Sequence, residues 1–240
     1  MSIYEYKMDV RFLDVGSDNL LTPKGFIQYM QEAACSHSDS LGYGLTDTEK
    51  MNLSWVISNW KLKIISRPKC GTNILIKTWA RSLVRFYSYR DFEVYDQSGS
   101  LIAIATSKWI LLDTKNKCIT RIPDYMVEAY SPTDICVFNE PFDEKPSGKL
   151  SDICYEYTIQ RRDIDTNHHV NNLYYLDFAI DTLPEDVYES LYYDNIEVLY
   201  KKQILYKDKI KCFYSYENGK HIVTIMNESL DVTHAVVCFY

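Results

Sequence analysis

The chain has 240 residues, with 26 Lys and Arg against 33 Asp and Glu and a net charge of −7. That balance, with no basic stripe, argues against a nucleic-acid binder and against attraction to an anionic membrane. A hydrophobic fraction of 46% excludes a disordered chain and can fill one large core or two small ones.

The first twelve residues lack a basic stretch followed by an apolar run, so no secretory signal is read there. Thr22 and Pro23 open the first helix, as a capping residue and a first-turn proline. Phe26, Ile27, Met30, Ala33, Ala34 and Leu41 then recur at helical spacing, and Gly42 and Gly44 end it. Residues 53–65, 73–84, 86–96 and 101–113 are rich in β-branched and aromatic side chains and read as strands. Asp96-Gln97-Ser98-Gly99 makes a hairpin turn, and residues 113–117 close the series. One long helix beside an antiparallel meander is an α+β layer arrangement.

Residues 130–150 change character, with Pro132, Pro141, Pro146 and Gly148 among acidic residues, and read as a linker. The order then restarts. Residues 154–160 alternate as a strand, residues 171–183 are helical with Pro184 just beyond, and strands follow at 193–202, 209–216, 221–227 and 232–240. Asn218-Gly219 is a two-residue hairpin signal. RFLDVGSDN before the first helix rhymes with RRDIDTNHH before the second. The chain is therefore read as a duplication: a first domain over 1–130, a linker over 131–150 and a second domain over 151–240.

The seven cysteines, Cys35, Cys70, Cys118, Cys136, Cys154, Cys212 and Cys238, are scattered with no CxxC pair. This gives no support to a zinc or redox site and suits a reducing compartment. No apolar run approaches the roughly 20 residues that span a bilayer. The expectation is a cytoplasmic protein with no metal, no cofactor and no stable membrane insertion.

Polar residues are densest at 161–172, RRDIDTNHHVNN, between a strand and a helix start. Asp and Asn make turns and caps, so this composition alone suits an ordinary loop. It equally suits a reaction site. A carboxamide such as Asn167 can donate to an oxyanion, a histidine such as His169 can move a proton near neutral pH, and Asp165 can act as base or orient the histidine.

This segment resembles the D-x-N-x-H-V-N-N motif of plant and bacterial acyl-ACP thioesterases. QEAACSHSDSLGYG, SWVISNWKLKI, IKTWARSLVRFYSYRDFEVYD and ATSKWILLD are similar to that family too, so the resemblance runs over most of the chain. It implies a double hot-dog fold, two tandem domains each with a long helix packed on an antiparallel sheet. It implies hydrolysis of fatty acyl thioesters on acyl carrier protein (ACP), with Asp165, Asn167 and His169 as catalytic residues. The family's glutamate in a Y-R-R-E segment corresponds here to Gln203 of Tyr200-Lys201-Lys202-Gln203. A glutamine amide is no useful base but can hold water. Ile204 stands where some plant members carry cysteine, which excludes a Cys–His mechanism there. The resemblance also suggests Phe26, Ile27, Met30 and Trp55 for the acyl chain, although a plain core would show the same periodicity. A non-catalytic acyl-ACP binding protein and a thioesterase acting on acyl-CoA are the alternatives.

Cys35 and His37 lie two apart on one helix and do not face each other, so Cys35 is read as a buried small residue. The adjacent His168 and His169 lack a third ligand at recognisable spacing, and His221 and His234 are read as structural or exposed. Arg161, Arg162, Lys201, Lys202, Lys207 and Lys209 form either a basic rim for the acidic carrier protein or a set of solvated strand residues.

Overall fold

The computed structural model describes residues 3–139, 142, 148–151 and 154–240, and its first strand, β1 (Tyr4–Asp9), is one that sequence analysis left unread. Its side chains alternate between half-buried and exposed, because the strand lies at a sheet edge against β3 (Asn73–Val84). With β2 (Leu53–Ile64), β4 (Tyr87–Asp96) and β5 (Leu101–Asp113), these strands form an antiparallel sheet in the order β1-β3-β4-β5-β2. A two-residue strand, β6 (Cys118–Ile119), pairs with β5. Together with their helices they make the first of two compact units, Met1–Pro141, the second being Phe142–Tyr240.

Helix α1 (Pro23–Ser40) packs on β1 and β3. Thr22 caps it by accepting the Gly25 amide at 3.1 Å, and Pro23 occupies the first turn; such a cap stabilises a helix by about 1 kcal/mol. Phe26, Ile27, Met30, Ala33 and Ala34 all face the core. Cys35 is exposed on the opposite side, which corrects the buried reading, while His37 takes the inward position. The chain leaves α1 through Gly42, whose φ of 77° suits glycine. Two short helices, α2 (Leu45–Lys50) and α3 (Asp124–Tyr130), were not anticipated. Neither is long enough to show helical periodicity in the sequence.

His37 reaches a buried polar cluster. Arg90 donates to His37 Nδ1 at 2.9 Å and to Thr78 Oγ1 at 3.2 Å, and the imidazole stacks on Tyr4. Burial, reinforced by the Arg90 charge, pushes the His37 pKa down to about 4. Residues beyond α3 run along the same unit. The Thr133 amide donates to the Ala80 carbonyl, and the Val137 amide to the buried Asp91 carboxylate, each at 3.0 Å. Pro141 and Pro146 of the expected linker lie outside the described residues.

In the second unit, β7 (Cys154–Thr158), β8 (Asn195–Tyr200), β9 (Lys209–Glu217), β10 (Lys220–Asn227) and β11 (Thr233–Phe239) form an antiparallel sheet in the order β8-β11-β10-β9-β7. Helix α4 (Tyr174–Asp181) packs on β10 and β11 through Tyr175, Leu176, Phe178 and Ala179, and a short α5 (Glu185–Ser190) follows. Each unit is thus a helix on an antiparallel sheet.

Two outcomes follow from this packing. A Cβ on Gly25 would lie 2.5 Å from the buried Leu21 side chain and 3.0 Å from the Asp14 carbonyl. Gly25→Ala is therefore expected to destabilise the protein by about 1–3 kcal/mol in urea unfolding. His37 carries a depressed folded pKa, so on acidification the unfolded chain takes up its proton first. Stability should fall as pH drops from about 6.5 to about 4, by up to about 3 kcal/mol. In His37→Gln this component of the slope should vanish when unfolding is followed across that range.

Candidate active site

A segment as polar as 161–172 must still satisfy its backbone, and it does so with a fixed frame of hydrogen bonds. After β7 a 3-10 turn at Arg161–Asp163 is closed reciprocally, with the buried Asp163 carboxylate accepting the Gln160 amide at 2.7 Å. Ile164 and Val170 form an isolated antiparallel bridge. Between them the Asp165 amide donates to the His169 carbonyl at 2.8 Å and the His168 amide to the Asp165 carbonyl at 3.1 Å. The Asn171 amide donates back to the Asp163 carbonyl at 2.8 Å. His168 takes the left-handed position, φ 63°, and is exposed.

Asp165 serves this frame with its side chain. Oδ1 accepts the Asn167 amide at 2.8 Å and the His169 amide at 3.4 Å, while Oδ2 meets the Asn167 carboxamide nitrogen at 3.5 Å. Asp165 and Asn167 are therefore in contact; Asn167 is exposed and His169 half-buried. Gln203 is exposed. The Val170 amide donates to the Ile204 carbonyl at 2.9 Å, so His169 and Gln203 each directly precede a partner of one inter-segment bond. His234 of β11 holds this second segment. Its Nδ1–H donates to the Lys202 carbonyl at 3.1 Å, and its own carbonyl accepts the Lys201 and Lys202 amides. Burial lowers the His234 pKa, which keeps the ring neutral in that role. Nothing in the sequence singled out His234, because its partners lie more than thirty positions away.

The expected helix start at residue 171 is corrected to Tyr174. Asn171 turns the chain instead, with its Oδ1 accepting the Leu173 amide and its carbonyl accepting the Tyr174 amide. The helix N-terminus thus lies beyond an intervening turn rather than directly under His169.

The first unit contains the same frame with different side chains. Gly16 donates to the Leu20 carbonyl, Asn19 to the Gly16 carbonyl, and Thr22 to the Asp14 carbonyl, and Asn19 has φ 60°. Leu21 donates to the Pro68 carbonyl as Val170 does to Ile204. In this correspondence Gly16, Asp18 and Leu20 stand for Asp165, Asn167 and His169, and Arg67 stands for Gln203. Arg67 reaches over the loop to Asp18 Oδ2 at 2.8 Å and to the Leu20 and Leu21 carbonyls. The first copy is filled by an ion pair; the second has a short neutral amide in that position. Its loop keeps the Asp165 carboxylate against the Asn167 carboxamide and the His169 amide.

Phe26, Ile27 and Met30 are buried on the inner face of α1, and Trp55 is half-buried on β2 beside Ala80, Leu111 and Met126. Two open grooves flank the 203–209 segment. One, about 650 Å³, is lined by Tyr157, Gln160, Arg161, Arg162 and Tyr206. The other, about 610 Å³, includes Lys202, Gln203, Lys207, Lys209 and His234 together with Asp208 and Glu228. The six basic residues picked out in sequence thus divide between two grooves, apart from Lys201, which lines neither. No helix among the described residues is long and apolar enough to cross a membrane.

The family model for the acyl-ACP thioesterase N-terminal domain matches residues 1–130, and that for the C-terminal domain matches residues 149–238. The chain is 26% identical to the chloroplastic oleoyl-acyl carrier protein thioesterase 2 of Arabidopsis thaliana, over 92% of this chain and 65% of that protein. It is 27% identical to a chloroplastic dodecanoyl-[acyl-carrier-protein] hydrolase of Umbellularia californica, over 84% of this chain and 56% of that one. It thus spans less than two thirds of the length of these plant relatives. A solved acyl-ACP thioesterase from Bacteroides thetaiotaomicron superposes with a TM-score of 0.88 at 20% identity, covering 99% of this chain and 96% of that chain. The double hot-dog expectation is met at the level of the fold.

The Asp165 carboxylate acts on the loop through oxygen acceptors, which an amide supplies as well. Asp165→Asn should therefore retain nearly all stability, whereas Asp165→Ala should lose about 1 kcal/mol, measured by urea unfolding.

Proposed function

Because the chain belongs to the acyl-ACP thioesterase family, we propose that it hydrolyses fatty acyl thioesters on acyl carrier protein, releasing the fatty acid during fatty acid biosynthesis. The observation that carries this reading is the loop itself, with Asp165 and Asn167 in contact and His169 bonded through the adjacent residue to the Gln203–Ile204 segment. Water attacks the thioester carbonyl carbon, the C–S bond breaks, and the proton given up by water ends on the leaving sulfur. Asn167 and the His169 imidazole supply the donors for the oxyanion. Oδ1 of Asp165 is committed to the loop, so Oδ2 is the oxygen that accepts the proton from water or orients His169. Gln203 holds the water. No step calls for a cofactor or a metal.

Phe26, Ile27, Met30 and Trp55 are assigned to the acyl chain on the family resemblance. All seven cysteines are free thiols, which supports a reducing, cytoplasmic setting. A second reading, an acyl-ACP binding protein without turnover, is favoured by one observation only, the amide at Gln203 where the family has a carboxylate.

The deciding experiment is hydrolysis of acyl-ACP across chain lengths, with acyl-CoA alongside. Asp165→Asn should cost about 10²–10⁴-fold in kcat, the usual worth of general-base assistance, with little change in stability. Gln203→Glu should change kcat little if Asp165 is the base. Gln203→Arg, which copies Arg67 of the first unit, should fill the site and abolish turnover in a folded protein. Tight binding of acyl-ACP with no hydrolysis at any chain length would establish the binding protein instead.

A further inference from the structure

The 3-10 turn that opens the active-site loop occurs twice in this chain, and the comparison isolates what the second copy adds. In the first unit the turn is Phe12–Asp14, and its two leading side chains are apolar and strongly exposed, Phe12 at 77% and Leu13 at 90%. In the second it is Arg161–Asp163, and the same two positions carry arginines. The turn therefore folds without charge at these positions, and its own geometry does not call for the guanidinium groups.

The arginines face an open groove of about 650 Å³ with Tyr157, Gln160 and Tyr206, and among the described residues no carboxylate lines it. Arg161 Nε donates to Tyr206 Oη at 3.3 Å, and Arg162 donates to Tyr157 Oη at 3.5 Å, both long bonds to neutral oxygens. Among the described residues the carboxylate near them is Asp163, which lies 3.8 Å from Arg162, is itself buried, and also accepts the Gln160 amide. The neighbouring groove differs: there Lys209 is paired to Glu228 at 2.9 Å, and Asp208 is also present. Two guanidinium groups, Arg161 with no carboxylate partner among the described residues and Arg162 with only the buried Asp163 at 3.8 Å, walled by two tyrosines, suit a phosphate ester, whose oxygens match the planar fork of donors.

We propose that the Tyr157–Arg161–Arg162–Tyr206 groove binds the phosphate of the phosphopantetheine arm that presents the acyl thioester. This rests on the thioesterase reading and adds to it the place where the arm is held. Arg161 and Arg162 immediately precede the Asp163–Asn171 frame, and Tyr206 follows Gln203 by three positions, so the groove is bounded by the two segments that also carry the active-site residues. The phosphate fixes the far end of the arm while the loop receives the thioester. The same ester occurs on acyl carrier protein and in coenzyme A, and the substrates below separate the two sources.

The test compares one acyl group on pantetheine, 4′-phosphopantetheine, coenzyme A and acyl carrier protein. Both arginines are exposed, so solvent weakens each contact, and together they are expected to lower KM about tenfold for acyl-phosphopantetheine relative to acyl-pantetheine. That ratio should shrink as salt is raised and approach one in Arg161→Gln/Arg162→Gln. Arg161→Lys/Arg162→Lys should keep part of it, and Lys220→Gln, at the far end of the β9–β10 hairpin from the groove, should keep all of it. Equal KM values for the two arms in the wild-type protein, or a ratio that survives the double glutamine variant, would overturn the proposal. A preference for acyl-CoA alone would also overturn it, by assigning recognition to the nucleotide phosphates. If no thioester is hydrolysed, the thioesterase reading fails separately. Calorimetric titration with 4′-phosphopantetheine and with pantetheine then decides the groove on binding alone, where binding of the phosphorylated arm only, lost in the double glutamine variant, supports it and equal binding rejects it.

Discussion

The arrangement of the second unit's polar loop depends on one backbone hydrogen bond, from the Val170 amide to the Ile204 carbonyl. Two segments more than thirty residues apart meet there, and neither is held to the other by regular strand pairing at that point. The bond sets where His169 stands relative to Gln203, and the rest of the local structure is arranged to keep it. The Asp163 and Asp165 carboxylates close the loop on one side, and the buried His234 grips Lys202 on the other. A polar loop with its amides satisfied internally can present side chains without paying for movement during reaction.

The same scaffold in the first unit shows which features belong to folding and which to chemistry. Its loop has the same three internal backbone bonds and the same left-handed residue, provided by Asn19 where the second copy has His168. Glycine, aspartate and leucine replace the Asp165, Asn167 and His169 set, and an Arg67–Asp18 ion pair covers the loop. The frame is therefore indifferent to the reactive side chains. The ion pair that covers the first copy needs both Arg67 and Asp18, where the second copy has the neutral amides Gln203 and Asn167. At the position of Arg67 the second unit carries the shorter, uncharged Gln203.

The two grooves around residues 203–209 divide the basic residues unequally in effect. Lysines in one line it together with Asp208 and Glu228, whereas the arginines in the other have, among the described residues, only the buried Asp163 beside Arg162. Net charge of −7 therefore coexists with local attraction for an anion, because recognition is set within a few ångströms and bulk charge is screened over about 10 Å.

Much of this was legible in the chain. The cap at Thr22, the apolar spacing of α1 and the hairpin signals fixed the helix-on-sheet plan, since these depend on neighbours within a few residues. The contact between Asp165 and Asn167 was within reach of sequence reasoning, because a tight loop places alternate residues together. Short or edge elements such as β1, α2 and α3 were not, having too few residues for a period to show. Cys35 was misplaced because free cysteines are usually buried, whereas its position on α1 falls on the face away from the core. The start of α4 shifted because Asn171 caps a turn before it caps a helix. The roles of His234, Tyr157 and Tyr206, and the equivalence of Arg67 with Gln203, needed the tertiary structure. Each depends on contacts between strands or loops distant in sequence, and local pattern carries no record of which of them the fold will bring together.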